Sequence, residues 1–211
     1  MDSGLLSDDD ELVVAGPPAQ PESCLPSTLD LIGAAVRRWF PTIHHMTPVE
    51  LATRLAQVPP ADGPDTDAYS NSGAQLVLLD VREPAEFAVS HIPGAVNVCP
   101  SAHKYPDDVM TILASVGPQS DSSAIVCYCS VGFRSSQLAL AIATVEQRWL
   151  GRVHNLDGSI FRWASQGRQL VDQSGKPTES VHPYSSLWGN LISADLHSWE
   201  QPSSNSTRRD A

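Results

Sequence analysis

Basic residues are scarce in this chain: 13 lysines and arginines stand against 24 aspartates and glutamates, a formal charge of -11 over 211 residues. Phosphate-binding surfaces are basic, so nucleic acid is not an expected partner. Long apolar runs are missing as well. None approaches the roughly 20 residues needed to cross a bilayer, so no membrane span is expected. Residues 1–11 carry Asp2, Asp8, Asp9, Asp10 and Glu11 but no basic residue, the reverse of a secretory or organelle-targeting segment. The expectation is a soluble, cytoplasmic protein. Cysteine is sparse too. Cys24, Cys99, Cys127 and Cys129 are too few for a disulfide scaffold, and a reducing compartment keeps them as thiols available for chemistry.

What the chain does contain is enough apolar sequence for one domain with a proper core. Residues 1–27 are acidic and interrupted by Pro17, Pro18, Pro21 and Pro26, which predicts a disordered tail. Leu29, Ile32, Val36 and Phe40 recur at helical spacing before Pro41, predicting a helix over 28–40. Thr47-Pro48-Val49-Glu50 predicts a second helix to about 58, from a capping residue, a proline at the first helical position and a reciprocating glutamate. Residues 59–73, rich in Pro, Gly, Ser and acids, read as a surface loop.

Beyond that loop, short apolar runs at 75–80, 95–98, 124–128 and, less clearly, 152–156 have the character of strands buried on both faces of a parallel sheet. Helical patterns lie between them at 84–89, 107–116 and 135–150. Strands alternating with helices predict an α/β fold. In the helix at 135–150, Leu138, Ile142, Val145 and Trp149 share one face and Gly151 closes it. After Gln169 the pattern fades, apart from a possible short helix within 187–196.

Cys129 falls where the run 124–128 ends, before a helix, and in open parallel sheets ligands bind outside the carboxyl ends of strands. Gly132 frees the backbone to curl, so that N–H groups form an anion nest, and the following helix adds positive charge at its N-terminus. Such donors favour the thiolate of Cys129 and lower its pKa from the free value of about 8.5. Arg134 supplies a permanent charge five residues after the cysteine. One loop would thus provide nucleophile, nest and counter-charge.

At this point the sequence resembles the rhodanese family of sulfurtransferases. The resemblance is carried by Leu79-Asp80-Val81-Arg82-Glu83-Pro84-Ala85-Glu86-Phe87, His91-Ile92-Pro93-Gly94-Ala95-Val96-Asn97-Val98, Tyr128-Cys129-Ser130-Val131-Gly132-Phe133-Arg134-Ser135 and Asn155-Leu156-Asp157-Gly158-Ser159-Ile160-Phe161-Arg162-Trp163. The pieces occur in the family's order over roughly 44–170. The resemblance implies a parallel five-stranded sheet flanked by helices in a single domain at 44–172, preceded by the tail (1–27) and a helix (28–43) and followed by an extension (173–211).

It further implies that Cys129 takes sulfane sulfur from thiosulfate or a persulfide and passes it to a thiol, a cyanide-type acceptor or a protein sulfur carrier, without metal or organic cofactor. The active-site loop is then Cys129, Ser130, Val131, Gly132, Phe133, Arg134 and Ser135. Asp80 and Arg82 brace it, with Glu86 as the partner of Arg82. Since Arg134 is the only charge within the loop, a persulfide donor is at least as plausible as dianionic thiosulfate.

Phosphatases and arsenate reductases on the same fold place five residues between cysteine and arginine; here four intervene from Cys129 and six from Cys127. The main alternative is a catalytically inactive binding module on this fold. Cys24 and Cys99 read as packing or merely exposed thiols. Cys127 shares a strand face with Cys129, which leaves open a resolving thiol or a metal pair, though two cysteines fall short of a structural zinc site. His91 suits a turn-stabilising role better than acid–base work. His44 and His45 read as strand residues, and Trp163, Trp188 and Tyr184 as packing or the lining of a substrate mouth.

Overall fold

A computed structural model describes residues 26–57, 76–98, 106–116 and 122–200. Residues 1–25 of the expected tail, the loop at 59–73, Cys24 and Cys99 lie outside these residues, whereas Ser27 at the tail's end belongs to the cap of α1. The chain runs α1 (Thr28–Trp39), β1 (His44–Met46), α2 (Pro48–Ala56), β2 (Leu76–Asp80), α3 (Pro84–Val89), β3 (Val96–Asn97), α4 (Pro106–Ser115), β4 (Ala124–Tyr128), α5 (Phe133–Val145), β5 (Val153–Leu156) and α6 (Ser159–Ser165). Five strands form one parallel sheet in the order β1-β5-β4-β2-β3. This is the α/β architecture expected from the sequence. Among the described residues, no helix is long and apolar enough to cross a membrane.

Helix starts follow local chemistry. Ser27 and Asp30 form a reciprocal capping box on α1, and Thr47 and Glu50 form one on α2, where Pro48 occupies the first turn. The long central strands alternate strictly. Val77, Leu79, Ile125 and Cys127 face Val109, Ile112, Leu138, Ile142 and Trp149 from the α4 and α5 side. Leu78, Val126 and Tyr128 face Leu29, Leu51, Ile160, Phe161 and Trp163 on the other. Two covered faces explain why both parities of β2 and β4 are apolar.

Three expectations need correction. The helix expected from 135 begins at Phe133, and it stops at Val145, with a separate turn of 3-10 helix at Gln147–Trp149. Only Val96 and Asn97 of the expected strand 95–98 pair with β2. The stretch after Gln169 is also structured: β6 (Leu170–Val171) pairs antiparallel with β7 (Pro177–Thr178), and α7 (Ser186–Gly189) precedes a 3-10 turn at Ala194–Leu196. Val181 and Ile192 from this stretch join the α6-side core.

β1 and β5 bring His44 opposite His154, with Nδ1 atoms 3.1 Å apart. Burial, reinforced by the charge of His44, holds the His154 imidazole down to about 4. An unfolded histidine takes up its proton near pH 6.5, so the unfolded state binds more protons between the two values and stability falls as pH drops through that window. Urea unfolding at several pH values is expected to show this decline, with a shallower slope in His154→Gln. Equal slopes in the two proteins would rule the histidine out as its source.

Candidate active site

Cys129 follows β4 directly, at the carboxyl edge of the sheet beside the N-terminus of α5. Gly132 makes the turn between them with φ +110°, and a Cβ there would sit 3.1 Å from Asn155 Nδ2. A side chain there would be strained by the backbone conformation and would press on the Asn155 amide. The turn carries the Gly132 N–H to 3.2 Å from Cys129 Sγ.

The loop is shaped from outside by α6. Its first-turn amides, which a helix leaves without internal partners, donate to the loop: Ile160 N–H to the Cys129 carbonyl (3.1 Å) and Phe161 N–H to the Ser130 carbonyl (3.2 Å). Gly158 permits this approach. It has φ +67°, and any Cβ would collide with Arg162. Ser159, itself at φ +51°, accepts from the Cys129 N–H at 3.2 Å. Ser135 Oγ lies 3.5 Å from Cys129 Sγ and donates to Asn155 Oδ1 at 2.6 Å. One hydroxyl hydrogen cannot serve both acceptors at once. The thiolate thus competes with Asn155 for it, and the steadier donors to sulfur are backbone amides.

Burial of Cys129 pushes its thiol pKa up. The Arg134 charge and the hydrogen bonds from Ser135 and the Gly132 amide outweigh that, and the net displacement is downward. Cys127, two residues earlier and wholly buried on the same face, has no such donors, and burial drives its thiol far upward. The two cysteines share a face but not a chemistry.

Arg134 lies in the first turn of α5, where a cation opposes the helix dipole. Glu86 from α3 compensates: Arg134 Nη1 and Nη2 donate to its two carboxylate oxygens at 3.1 and 3.2 Å. Ser130 Oγ closes the ring, accepting from Arg134 Nη2 at 3.0 Å and donating to Glu86 Oε1 at 3.2 Å. Burial raises the Glu86 pKa, but the Arg134 contacts overcome it and the net direction is down. Glu86 is therefore the partner of Arg134 and not, as expected from the sequence, of Arg82.

Arg82 is fully buried with Asp80. Its Nε and Nη2 reach the carboxylate at 2.6–3.1 Å, and Nη2 also donates to the Ser90 carbonyl at 2.6 Å. The pair lies beneath the β2–α3 turn, with the guanidinium 5.9 Å from the Tyr128 ring. Its link to the loop runs through Tyr128, the residue before Cys129. Val131 is buried, and Phe133 points outward between Trp39 and Phe40 of the α1 end, with ring centroids 5.6 and 5.5 Å away.

His91 accepts the turn role: it stacks on Phe87 at 3.8 Å, and its Nδ1 lies 3.1 Å from the Phe87 carbonyl. Trp163 packs in the core and donates from Nε1 to the Gln169 carbonyl. Asn155, Ser159 and Tyr184 are the site residues to which sequence reasoning gave no definite role. The first two lay inside a recognised motif, but nothing in their local pattern indicated contact with the cysteine loop. Among the described residues, no group of three or more His, Cys, Asp and Glu side chains is arranged to hold a metal ion.

A parallel sheet with a cysteine at the carboxyl end of its central strand, beside the Gly132 amide and an arginine paired with Glu86, is the arrangement of an α/β domain with a cysteine loop. Residues 65–166 match the rhodanese-like domain family. A sulfurtransferase of Allochromatium vinosum is 36% identical over 100 residues, covering 47% of this chain and 82% of that protein. A thiosulfate:glutathione sulfurtransferase of Saccharomyces cerevisiae is 31% identical over 103 residues, covering 46% and 70%. The probable adenylyltransferase/sulfurtransferase MoeZ of Mycobacterium tuberculosis is 30% identical over 98 residues, which is 46% of this chain but only 22% of MoeZ. The chain belongs to the rhodanese-like sulfurtransferase family.

Proposed function

We propose that the protein moves sulfane sulfur through a persulfide on Cys129. The thiolate attacks the outer sulfur of a donor, an S–S bond forms to Cys129, and the bond to the leaving group breaks with its electron pair departing on that group. A thiophilic acceptor then takes the sulfur and regenerates the thiolate. The observation that carries the reading is the donor set around Cys129 Sγ at the carboxyl end of β4, the Gly132 N–H at 3.2 Å and Ser135 Oγ at 3.5 Å, which with the Arg134 charge draws the thiol pKa down against burial. Ser130, Val131 and Phe133 complete the loop, and Asp80 and Arg82 support it from below.

Thiosulfate or a persulfide is the donor class, and a thiol, cyanide or a protein sulfur carrier the acceptor class. The yeast relative's name couples thiosulfate to glutathione. A reducing, cytoplasmic setting suits free thiols. Residues 1–27 and 173–211 flank the domain as a tail and an extension.

Alkylation of Cys129 is expected to be faster at neutral pH than that of a free cysteine, and to slow as pH falls through a pKa below about 8.5. Incubation with a donor is expected to add the mass of one sulfur atom. The exposure of the Cys129 residue, only 1%, favours the second reading, a recognition module on the same fold. Alkylation no faster than that of free cysteine, together with no sulfur adduct from any donor, would select that second reading.

A further inference from the structure

The guanidinium of Arg134 is occupied on two sides. Its fork is taken by Glu86 and Ser130, and over its face lies the ring of Tyr184, with the centroid 4.8 Å from Cζ. Tyr184 comes from the stretch beyond α6 and β7 and is about half exposed, so its ring contributes little to the core. Its placement is nevertheless built. Tyr184 adopts φ +64°, and its N–H donates to His182 Nδ1 at 3.0 Å. Val181 beside it is fully buried and bridges to His197, and Pro183 lies close against Gly189. A bulky residue stays in the left-handed region only where its surroundings over-determine it, and such strain concentrates at functional sites.

We infer that Tyr184 is a specificity-determining residue of the Cys129 site, and that with Glu86 it tunes the site to organic persulfides over small sulfur oxyanions. The inference rests on the sulfur-transfer reading above. Arg134 and Glu86 cancel in charge, so the reactive thiolate leaves the site negative. A dianion such as thiosulfate meets repulsion and no unoccupied guanidinium fork. A hydropersulfide ionises more readily than a thiol, but its protonated form, R–S–SH, presents an uncharged outer sulfur to the Cys129 thiolate, and its organic body finds apolar surface on the Tyr184 ring. Cys129 Sγ attacks that outer sulfur, the R–S–S bond breaks, the electron pair leaves on R–S⁻, and the proton stays with the transferred sulfur.

The test uses the full chain, with benzyl hydropersulfide, whose organic body is uncharged and apolar, and thiosulfate as separate donors, and follows gain of one sulfur by intact mass. Cys129→Ser serves as background. Wild type is expected to load faster from the hydropersulfide. In Tyr184→Ala the ratio of the two rate constants is expected to move toward thiosulfate by about threefold or more, the scale of a cation–π contact. Tyr184→Phe, which keeps the ring face, is expected to keep the wild-type ratio. A ratio unchanged in Tyr184→Ala, or thiosulfate loading wild type as fast as hydropersulfide, overturns the inference and leaves Cys129 a sulfur acceptor. Loading from neither donor overturns both.

Discussion

Cys129→Ser is expected to reduce sulfur transfer to near the uncatalysed background, a loss on the order of a thousandfold or more, because, of the two described cysteines, Cys129 alone has donors that favour its thiolate. Cys127→Ser is expected to leave most of the activity. Both side chains are buried on the same side of the sheet, so burial alone does not separate them. What separates them is the donor set: Cys129 has the Gly132 amide, Ser135 and Arg134, whereas Cys127 is enclosed by apolar neighbours and its thiol stays protonated. Serine at 127 places a hydroxyl among those neighbours and costs about 1–3 kcal/mol of stability. Transfer assays alongside denaturant unfolding separate the two effects. Equal loss of transfer in both stably folded variants would mean that the thiols act as a pair.

Arg82→Met is expected to destabilise the fold by about 3–5 kcal/mol, the cost of breaking a buried ion pair and leaving one charge uncompensated. Asp80 and Arg82 are both fully buried. Burial disfavours the guanidinium charge, but Asp80 more than restores it. With arginine gone, the Asp80 carboxylate keeps the Arg82 N–H at 2.9 Å and the Tyr128 hydroxyl, but no opposite charge. Against a typical total of about 5–15 kcal/mol, the loss is a large fraction. The double variant Asp80→Asn, Arg82→Met removes both charges and is expected to recover part of the stability in urea unfolding. A single-variant loss under about 1 kcal/mol would show that the pair is relieved by water or local rearrangement.

The elements legible in the sequence were those whose signals are local. Pro84 and the apolar strand before it locate α3, and the apolar run ending at Tyr128 locates β4 and hence Cys129. The start of α5 was misplaced because Arg134 is a poor residue for a first helical turn. It is tolerated there only through Glu86, which lies 48 residues away. The same separation explains why Glu86 was paired with the nearer Arg82. β3 was overestimated because an apolar run does not reveal how many residues a neighbouring strand will pair. Ser159 and Asn155 carry no signal of their role, since what makes them site residues is the docking of β5 and α6 against the loop. Tyr184 resembles any surface aromatic until the turn at His182 brings it over Arg134.

The dependence of the cysteine loop on α6 has a consequence for the order in which the protein is made. The carbonyls of Cys129 and Ser130 are held by amides of Ile160 and Phe161, so the nest has its final shape only after the chain has been synthesised past α6. Among the described residues β1 pairs only with β5, across 110 residues, so that edge must wait as well. During translation the loop around Cys129 emerges ahead of the helix that holds its carbonyls. The final backbone shape of the cysteine loop is thereby tied to completion of the domain.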